Sequence, residues 1–182
     1  MLSLQQAFSG GIHPVLKAGL ISGSLSLTGD VLAQLLGGLL SKEQQTVYDL
    51  ERAARMGSFG LFFYGPYQHY WYAALERAFT AKTAQNFAFK VFLNQTVLAP
   101  VVISGIFAWN LALQRKISEW PEKMRKDFKN TILTGWKFWI PASSINFIMV
   151  PLQHQVLYMS CCGVVWTAFL SYSSSIQRGK LA

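Results

Sequence analysis

The sequence predicts an all-α protein: a polytopic membrane helical bundle of about four transmembrane helices with one amphipathic helix at the membrane interface. Its 182 residues are 52% hydrophobic and only 13% charged, whereas a soluble domain usually carries about 25% charged residues. Long apolar segments are separated by short connections, without the alternation of apolar and polar residues that is typical of a β-strand. Four spans of about 20 residues leave no room for a separate soluble domain, so we expect residues 1–182 to form one membrane-embedded domain.

Four segments are long and apolar enough to cross the hydrocarbon core, which takes about 20 residues at a rise of about 1.5 Å each. They run from about Ile12 to Leu40, Leu50 to Phe79, Asn86 to Gln114, and Pro151 to Ser173. The first contains the small-xxx-small pair Gly19 and Gly23. We expect this pair to pack helices of the same chain closely rather than to form a dimer.

An amphipathic helix is predicted between the third and fourth spans. Apolar residues recur there at every fourth position: Trp120, Met124, Phe128, Ile132 and Trp136. Charged and polar residues fill the opposite side, which is typical of a helix at the membrane interface. The segment from Trp120 to Gly135 is therefore predicted to lie along the interface. Its continuation, Trp139 to Val150, is either re-entrant or part of a fifth crossing.

Charge and cysteine content narrow the class of protein. A net charge of +8 and a pI near 9.7 would suggest a nucleic-acid binder if the chain were soluble with a basic face. The low total charge favours membrane lipid as the partner instead, and we expect no nucleic acid. Two cysteines are too few for a disulfide scaffold, and the apolar content excludes disorder.

Polar residues inside apolar segments are costly and therefore informative. The candidates for a polar path or pore are Asp30, Gln34, Arg52, Arg55, Lys90, Asn94, Gln95 and Asn146. The structural alternative is that Asp30 pairs with an arginine and that the amides bridge helices. In either case we expect Asp30 to face protein near Arg52, Arg55 or another polar group, because a bare carboxylate in hydrocarbon costs about 2.5 kcal/mol or more.

No catalytic constellation is recognisable in the sequence. The three histidines are scattered without metal-ligand spacing, and no nucleophile, zinc or phosphate-binding motif occurs. Cys161 and Cys162 are adjacent within an apolar run and are interpreted as packing residues. We therefore expect no enzyme activity, no cofactor and no metal.

Several motifs occur in a characteristic order along the chain. The first three are Gly29-Asp30 with Gln34, then Asp49, Arg52 and Arg55 followed by Gly65-Pro66, and Lys90 with Asn94-Gln95 and Pro100. The C-terminal motif comprises Trp136, Trp139, Pro141, Asn146, Phe147, Pro151, Trp166 and Ser171. On these residues the whole chain resembles the Mpv-seventeen family (Mpv17), also named for the twenty-two-kilodalton peroxisomal membrane protein.

The resemblance implies a four-span protein of an organellar membrane, similar to channels that pass small metabolites, with a role in mitochondrial homeostasis. The alternative function is a non-conducting accessory subunit of a larger inner mitochondrial membrane complex, such as the respiratory chain or ATP synthase, whose other subunits would be its partners. Two positions depart from the family pattern, which usually has aspartate where Asn94 stands and arginine where Gln155 stands. A neutral pair would keep the fold while altering or abolishing conduction.

The expected compartment is the mitochondrial inner membrane, with the peroxisomal membrane as the alternative. The first 29 residues lack acidic residues, as transit peptides do, but contain no arginine and only Lys17 as a basic residue. We therefore expect internal targeting signals. The C-terminal residues are not the peroxisomal SKL address.

Overall fold

The computed structural model describes residues 12–41 and 48–181, with side chains over 12–39 and 48–169. Five long helices account for nearly all of these residues, and no strand occurs among them. Helix α1 is Pro14–Ser41, α4 is Trp120–Met149 and α5 is Leu152–Leu181. The prediction of an all-α fold is confirmed for the part of the chain that is described.

Helices α2 and α3 each contain one π-helical turn. Helix α2 consists of Leu50–Phe59, the π turn Gly60–Tyr64 and Gly65–Ala78, and α3 consists of Ala84–Leu93, the π turn Asn94–Leu98 and Ala99–Leu113. In each helix a proline, Pro66 or Pro100, stands six residues after the first residue of the π turn. Because proline lacks an N–H and its ring clashes with the preceding turn of an α-helix, the wider turn lets both helices continue.

Neighbouring helices in sequence run antiparallel. Gln34 near the end of α1 contacts Asp49 at the start of α2, and Asn94 of α3 contacts both Trp71 of α2 and Ser143 of α4. The connections α1–α2 and α3–α4 therefore lie at one end of the bundle, and α2–α3 and α4–α5 at the other. We call these the α1–α2 end and the α2–α3 end.

Glycines bring α1 and α2 into close contact. A Cβ atom placed on Gly65 would lie 2.4 Å from the carbonyl oxygen of Ala18, and one on Gly60 would lie 2.6 Å from that of Ser22. A Cβ atom on Gly19 would lie 2.5 Å from the carbonyl oxygen of Leu61. The expectation that the small residues of the first span pack within one chain is confirmed.

Two helices among the described residues are long and apolar enough to cross a membrane by length and composition: Pro14–Leu39 and Ala84–Leu113. In the most apolar stretch of Ala84–Leu113 only 6% of the residues are buried against the rest of the protein. The other two predicted spans, Leu50 to Phe79 and Pro151 to Ser173, form helices, but their crossing of a membrane is not confirmed.

The predicted amphipathic segment and its continuation belong to one helix. Residues Trp120 to Met149 form one uninterrupted helix in which Pro141 is accommodated without a break. The backbone therefore has no turn between Trp139 and Met149, and the chain turns only at Val150 and Pro151, before α5. The helix ends at Met149, and Val150 is extended because the following Pro151 disfavours helical geometry in the residue before it.

Candidate functional site

A charged cluster joins α1 to α2 at the α1–α2 end. Arg52 Nε donates to Asp30 Oδ1 at 3.0 Å, and Gln34 Nε2 donates to Asp30 Oδ2 at 2.8 Å. Asp30 is only 3% exposed, whereas the Arg52 side chain is 44% exposed. The prediction that Asp30 faces protein beside one of these arginines is confirmed.

Gln34 of α1 also forms hydrogen bonds with Asp49, the N-cap residue of α2. Its Oε1 accepts from the Asp49 backbone N–H at 2.7 Å, while its Nε2 donates to the Asp49 carbonyl at 3.0 Å. The Asp49 carboxylate in turn accepts from the Arg52 backbone N–H at 2.8 Å and so caps the N-terminus of α2. These bonds fix the orientation of the Asp30–Arg52 pair.

Arg55 belongs to the same end of the bundle but faces other acids. Its guanidinium lies 3.6 Å from Asp49 and 3.5 Å from Glu51, and its side chain is 15% exposed. Of the two arginines predicted beside Asp30, Arg52 is therefore the one that pairs with it.

A layer of uncharged polar side chains lies deeper in the bundle, between α2, α3 and α4. The Asn94 amide accepts from Trp71 Nε1 at 3.0 Å and donates to Ser143 Oγ at 2.8 Å. Gln95 Nε2 also donates to Ser143 Oγ, at 3.1 Å. Asn146 lies one turn after Ser143 on α4. We call Trp71, Asn94, Gln95, Ser143 and Asn146 the amide layer.

The π turn of α3 explains how two adjacent residues reach the same hydroxyl group. Neighbouring side chains of an α-helix point about 100° apart, which would carry Gln95 away from the partner of Asn94. The π turn Asn94–Leu98 contains more residues per turn and so reduces this angle, and the amide groups of both side chains reach Ser143 Oγ. Both are buried, at 3% and 5% exposed.

Several polar atoms of the amide layer have no hydrogen-bond partner among the described residues. They are Asn146 Oδ1 and Nδ2 and Gln95 Oε1, and all three are buried. Asn146 is fully buried, at 0% exposure. Most buried polar groups in proteins are paired, so these atoms form an unusual concentration of free donors and acceptors inside the bundle.

A cavity of about 610 Å³ opens at the α2–α3 end. Its lining includes the ion pair of Lys90 with Glu76, whose Nζ and Oε2 atoms are 2.6 Å apart. Gln155, which is 5% exposed and donates to the Val150 carbonyl at 3.2 Å, also lines it. A second cavity of about 700 Å³ shares the lining residues Pro151 and Leu152.

The structure distributes the predicted path residues along the bundle. Asp30, Gln34, Arg52 and Arg55 lie at the α1–α2 end, Asn94, Gln95 and Asn146 lie in the amide layer, and Lys90 lies at the α2–α3 end. No hydrogen bond among the described side chains joins the three groups directly.

The hydrogen bonds of four buried polar residues were not predicted from the sequence. Ser22 and Ser160 pair through their hydroxyl groups at 2.9 Å, and Gln68 Nε2 donates to Tyr72 Oη at 3.2 Å. Ser143 Oγ accepts a hydrogen bond from the side-chain amide of Asn94 and another from that of Gln95. Serine and glutamine within a helix also occur on exposed faces, so only the packing identifies these as interior residues.

The residues of the C-terminal motif mostly pack the bundle. The Trp166 ring stacks on Phe138 and lies 6.2 Å from the ring of Trp139, and Phe147 contacts Tyr72 edge to face. Asn146 belongs to the amide layer. Three further members are Trp136, whose Nε1 has no partner among the described residues, Pro141 within α4, and Pro151 before α5. The Ser171 side chain lies outside the described residues. No group of three or more potential metal ligands occurs among the residues described.

Apolar side chains cover much of the outside of the bundle, while polar side chains are buried within it. Phe62 and Ile148 are both 68% exposed, whereas Gln68 and Asn146 are fully buried. This distribution, on helices of spanning length, is that of an integral membrane helical bundle.

Comparison with known proteins identifies the family. The model of the Mpv17 / PMP22 family matches residues 111–171. PXMP2/4 family protein 2 of Dictyostelium discoideum is 33% identical over 164 residues, covering 89% of this chain and 85% of the relative. This chain belongs to the Mpv17/PMP22 family of membrane proteins.

Relatives in this family come from two organelles. The Mitochondrial inner membrane protein Mpv17 of Danio rerio is 27% identical over 90% of this chain and 91% of its own length. Peroxisomal membrane protein 2 of Bos taurus is 28% identical over 88% of this chain and 83% of its own length. No solved structure matches the chain.

Proposed function

We propose that this protein is a passive channel for small polar solutes in an organellar membrane. The observation that supports this most strongly is the amide layer, in which the buried side chains of Gln95 on α3 and Asn146 on α4 leave unpaired donors and acceptors inside the bundle. A bundle that served only for packing would gain from replacing such atoms with apolar groups, because each unpaired buried polar group costs about 1–3 kcal/mol.

In the proposed topology α1, α2, α3 and α5 span the membrane. The first half of α4 remains at the interface because its basic residues Lys123, Arg125, Lys126 and Lys129 are exposed. The second half of α4 enters the bundle and places Ser143 and Asn146 in its interior. The cavities at the α2–α3 end are the proposed entrance of the path, with Lys90 and Glu76 at its rim.

The proposed compartment is the mitochondrial inner membrane, where a solute channel would contribute to mitochondrial homeostasis. The Danio rerio relative carries that location in its name, and the bovine relative makes the peroxisomal membrane the alternative. Fractionation of cells that express the protein at its natural level, with protease protection of mitochondria and peroxisomes, decides between the two compartments.

Swelling of proteoliposomes tests the channel function. Vesicles that contain the purified protein are exposed to an inward gradient of erythritol, and light scattering reports its entry. Entry faster than in protein-free vesicles supports the proposal, and entry at the protein-free rate contradicts it. In the latter case, co-purification with a respiratory or ATP-synthase complex would support the accessory-subunit alternative.

A further inference from the structure

We infer that the larger cavity at the α2–α3 end binds one anionic phospholipid, with its phosphate at Lys17 and His69 and its acyl chains against an apolar wall. This cavity of about 700 Å³ lies between the start of α1, the second half of α2 and the start of α5. The bound lipid would form one wall of the proposed entrance, because the smaller cavity shares the lining residues Pro151 and Leu152. The inference goes beyond the proposed channel function and does not depend on conduction.

The lining carries a positive charge without an acid to neutralise it. Lys17 and His69 line the cavity, and no acidic residue is among the described residues around it. Lys17 forms no ion pair within the described part of the chain. Asp30 lies about 20 Å further along α1, and Glu76 of α2 is paired with Lys90. An ammonium group and an imidazole N–H both donate to phosphate oxygens, so this lining favours an anion.

The polar and apolar residues of the lining follow the order of headgroup and acyl chain in a lipid. Helices α1 and α5 both begin at this end and run parallel, joined further along by a bond between two serine hydroxyl groups. Lys17 precedes Ile21 by one turn on α1, and Gln153 precedes Leu157 by one turn on α5. Lys17 lies in the first turn of the proposed span α1, at headgroup depth, where basic groups between helices bind anionic lipid headgroups.

The apolar wall of the cavity opens to the outside of the bundle. Three of its lining residues, Ile12, Leu152 and Leu157, are 61%, 42% and 41% exposed. A free phosphate ion in this cavity would leave water against these side chains, whereas an acyl chain covers them. The lining therefore favours a phosphate group that is attached to a lipid.

Native mass spectrometry of the full-length protein in detergent tests the inference. The protein is titrated with phosphatidylglycerol, which carries one negative charge, or with phosphatidylcholine, whose headgroup has no net charge. We expect one phosphatidylglycerol molecule to bind at least about tenfold more tightly than phosphatidylcholine, because the Lys17 ammonium faces an uncompensated anion. Equal affinities for the two lipids would overturn the inference.

Removal of the ammonium group tests the phosphate contact. Lys17→Gln should weaken phosphatidylglycerol binding by about tenfold or more. Lys126→Gln is the matched control, because Lys126 is an exposed lysine on α4 that does not line the cavity. Equal losses in the two variants would show that the lipid responds to the overall charge of the protein and would contradict the site.

A larger side chain in the cavity tests the acyl contact without a change of charge. Ala73 lines the cavity, whereas its neighbour Ala74 is exposed and does not. Ala73→Phe should weaken phosphatidylglycerol binding by about tenfold or more by filling part of the cavity, and Ala74→Phe should leave it unchanged. Unchanged binding in Ala73→Phe would contradict a lipid in this cavity.

Inorganic phosphate distinguishes a lipid from a soluble anion. Phosphatidylglycerol should stay bound in an excess of inorganic phosphate, and its displacement would assign the cavity to a soluble anion and overturn the inference. If a variant does not fold, the comparison of the two lipids on the unmodified protein still decides. Absence of erythritol entry would contradict the channel function and leave the lipid site standing, whereas equal lipid affinities would contradict the lipid site alone.

Discussion

Arg52 Nε donates to Asp30 Oδ1 at 3.0 Å and joins α2 to α1 across 22 positions of sequence. The partners differ in burial, since Asp30 is enclosed and Arg52 reaches solvent. Removal of the arginine leaves a buried carboxylate with Gln34 as its remaining side-chain donor, whereas removal of the acid frees a cation that water can hydrate. Substitution of Arg52 should therefore lower the stability of the protein more than substitution of Asp30.

We expect Arg52→Leu to destabilise the protein by about 1–3 kcal/mol, because Asp30 keeps its burial and loses a charged donor. Asp30→Asn should cost less, because an amide oxygen still accepts from Arg52. Unfolding by denaturant in detergent micelles measures both variants. Glu51→Gln is the control because the Glu51 side chain is 91% exposed, and equal losses for all three variants would contradict the expected asymmetry.

The glycine contacts between α1 and α2 predict which glycine-to-alanine substitutions destabilise the protein. Gly60→Ala and Gly65→Ala should each destabilise the protein by about 1–3 kcal/mol, because the added methyl group meets backbone atoms that cannot move away. Gly163→Ala is the matched control, since nothing lies within 4 Å of a Cβ atom at that position. Thermal unfolding in detergent compares the three, and a loss as large at Gly163 would contradict the packing described.

Ser143 provides the shared acceptor of the amide layer. Ser143→Ala would leave the Asn94 and Gln95 amide groups without that acceptor and should cost about 1–3 kcal/mol for each lost bond. Ser144→Ala should change stability by no more than about 0.5 kcal/mol, because Ser144 bonds only the Ile140 carbonyl of its own helix. The two unfolding free energies are measured side by side, and similar values would show that Ser143 has no special role.

The exposed basic side of α4 predicts one-sided accessibility. In a background without Cys161 and Cys162, Lys126→Cys should react with a water-soluble maleimide from one side of the membrane only. Ala142→Cys, at a position that is 6% exposed, should remain protected. Labelling of intact vesicles before and after permeabilisation separates the two sides. Protection of Lys126→Cys under both conditions would refute an interfacial position of this segment.

Much of the fold follows from the sequence, because long apolar segments admit little other than helices in a membrane. The Asp30–Arg52 pair was also predictable, since a carboxylate within such a segment needs a partner. The full length of α4 was not predictable from the sequence, because proline commonly ends a helix, whereas Pro141 lies inside this one. The contact of both Asn94 and Gln95 with Ser143 was not predictable either, because the sequence does not show that these residues begin a π turn and α-helical periodicity directs adjacent side chains apart.

The most direct test of the proposed path is erythritol entry into proteoliposomes that contain Asn146→Leu. The substitution replaces two unpaired buried polar atoms with a side chain of similar size, so it should preserve or raise the stability of the fold. Ile148→Leu is the control because Ile148 lies on the same helix with 68% exposure. We expect the unmodified protein and Ile148→Leu to admit erythritol, and Asn146→Leu to fall to the protein-free rate. Entry through Asn146→Leu at the unmodified rate would contradict a solute path through the amide layer.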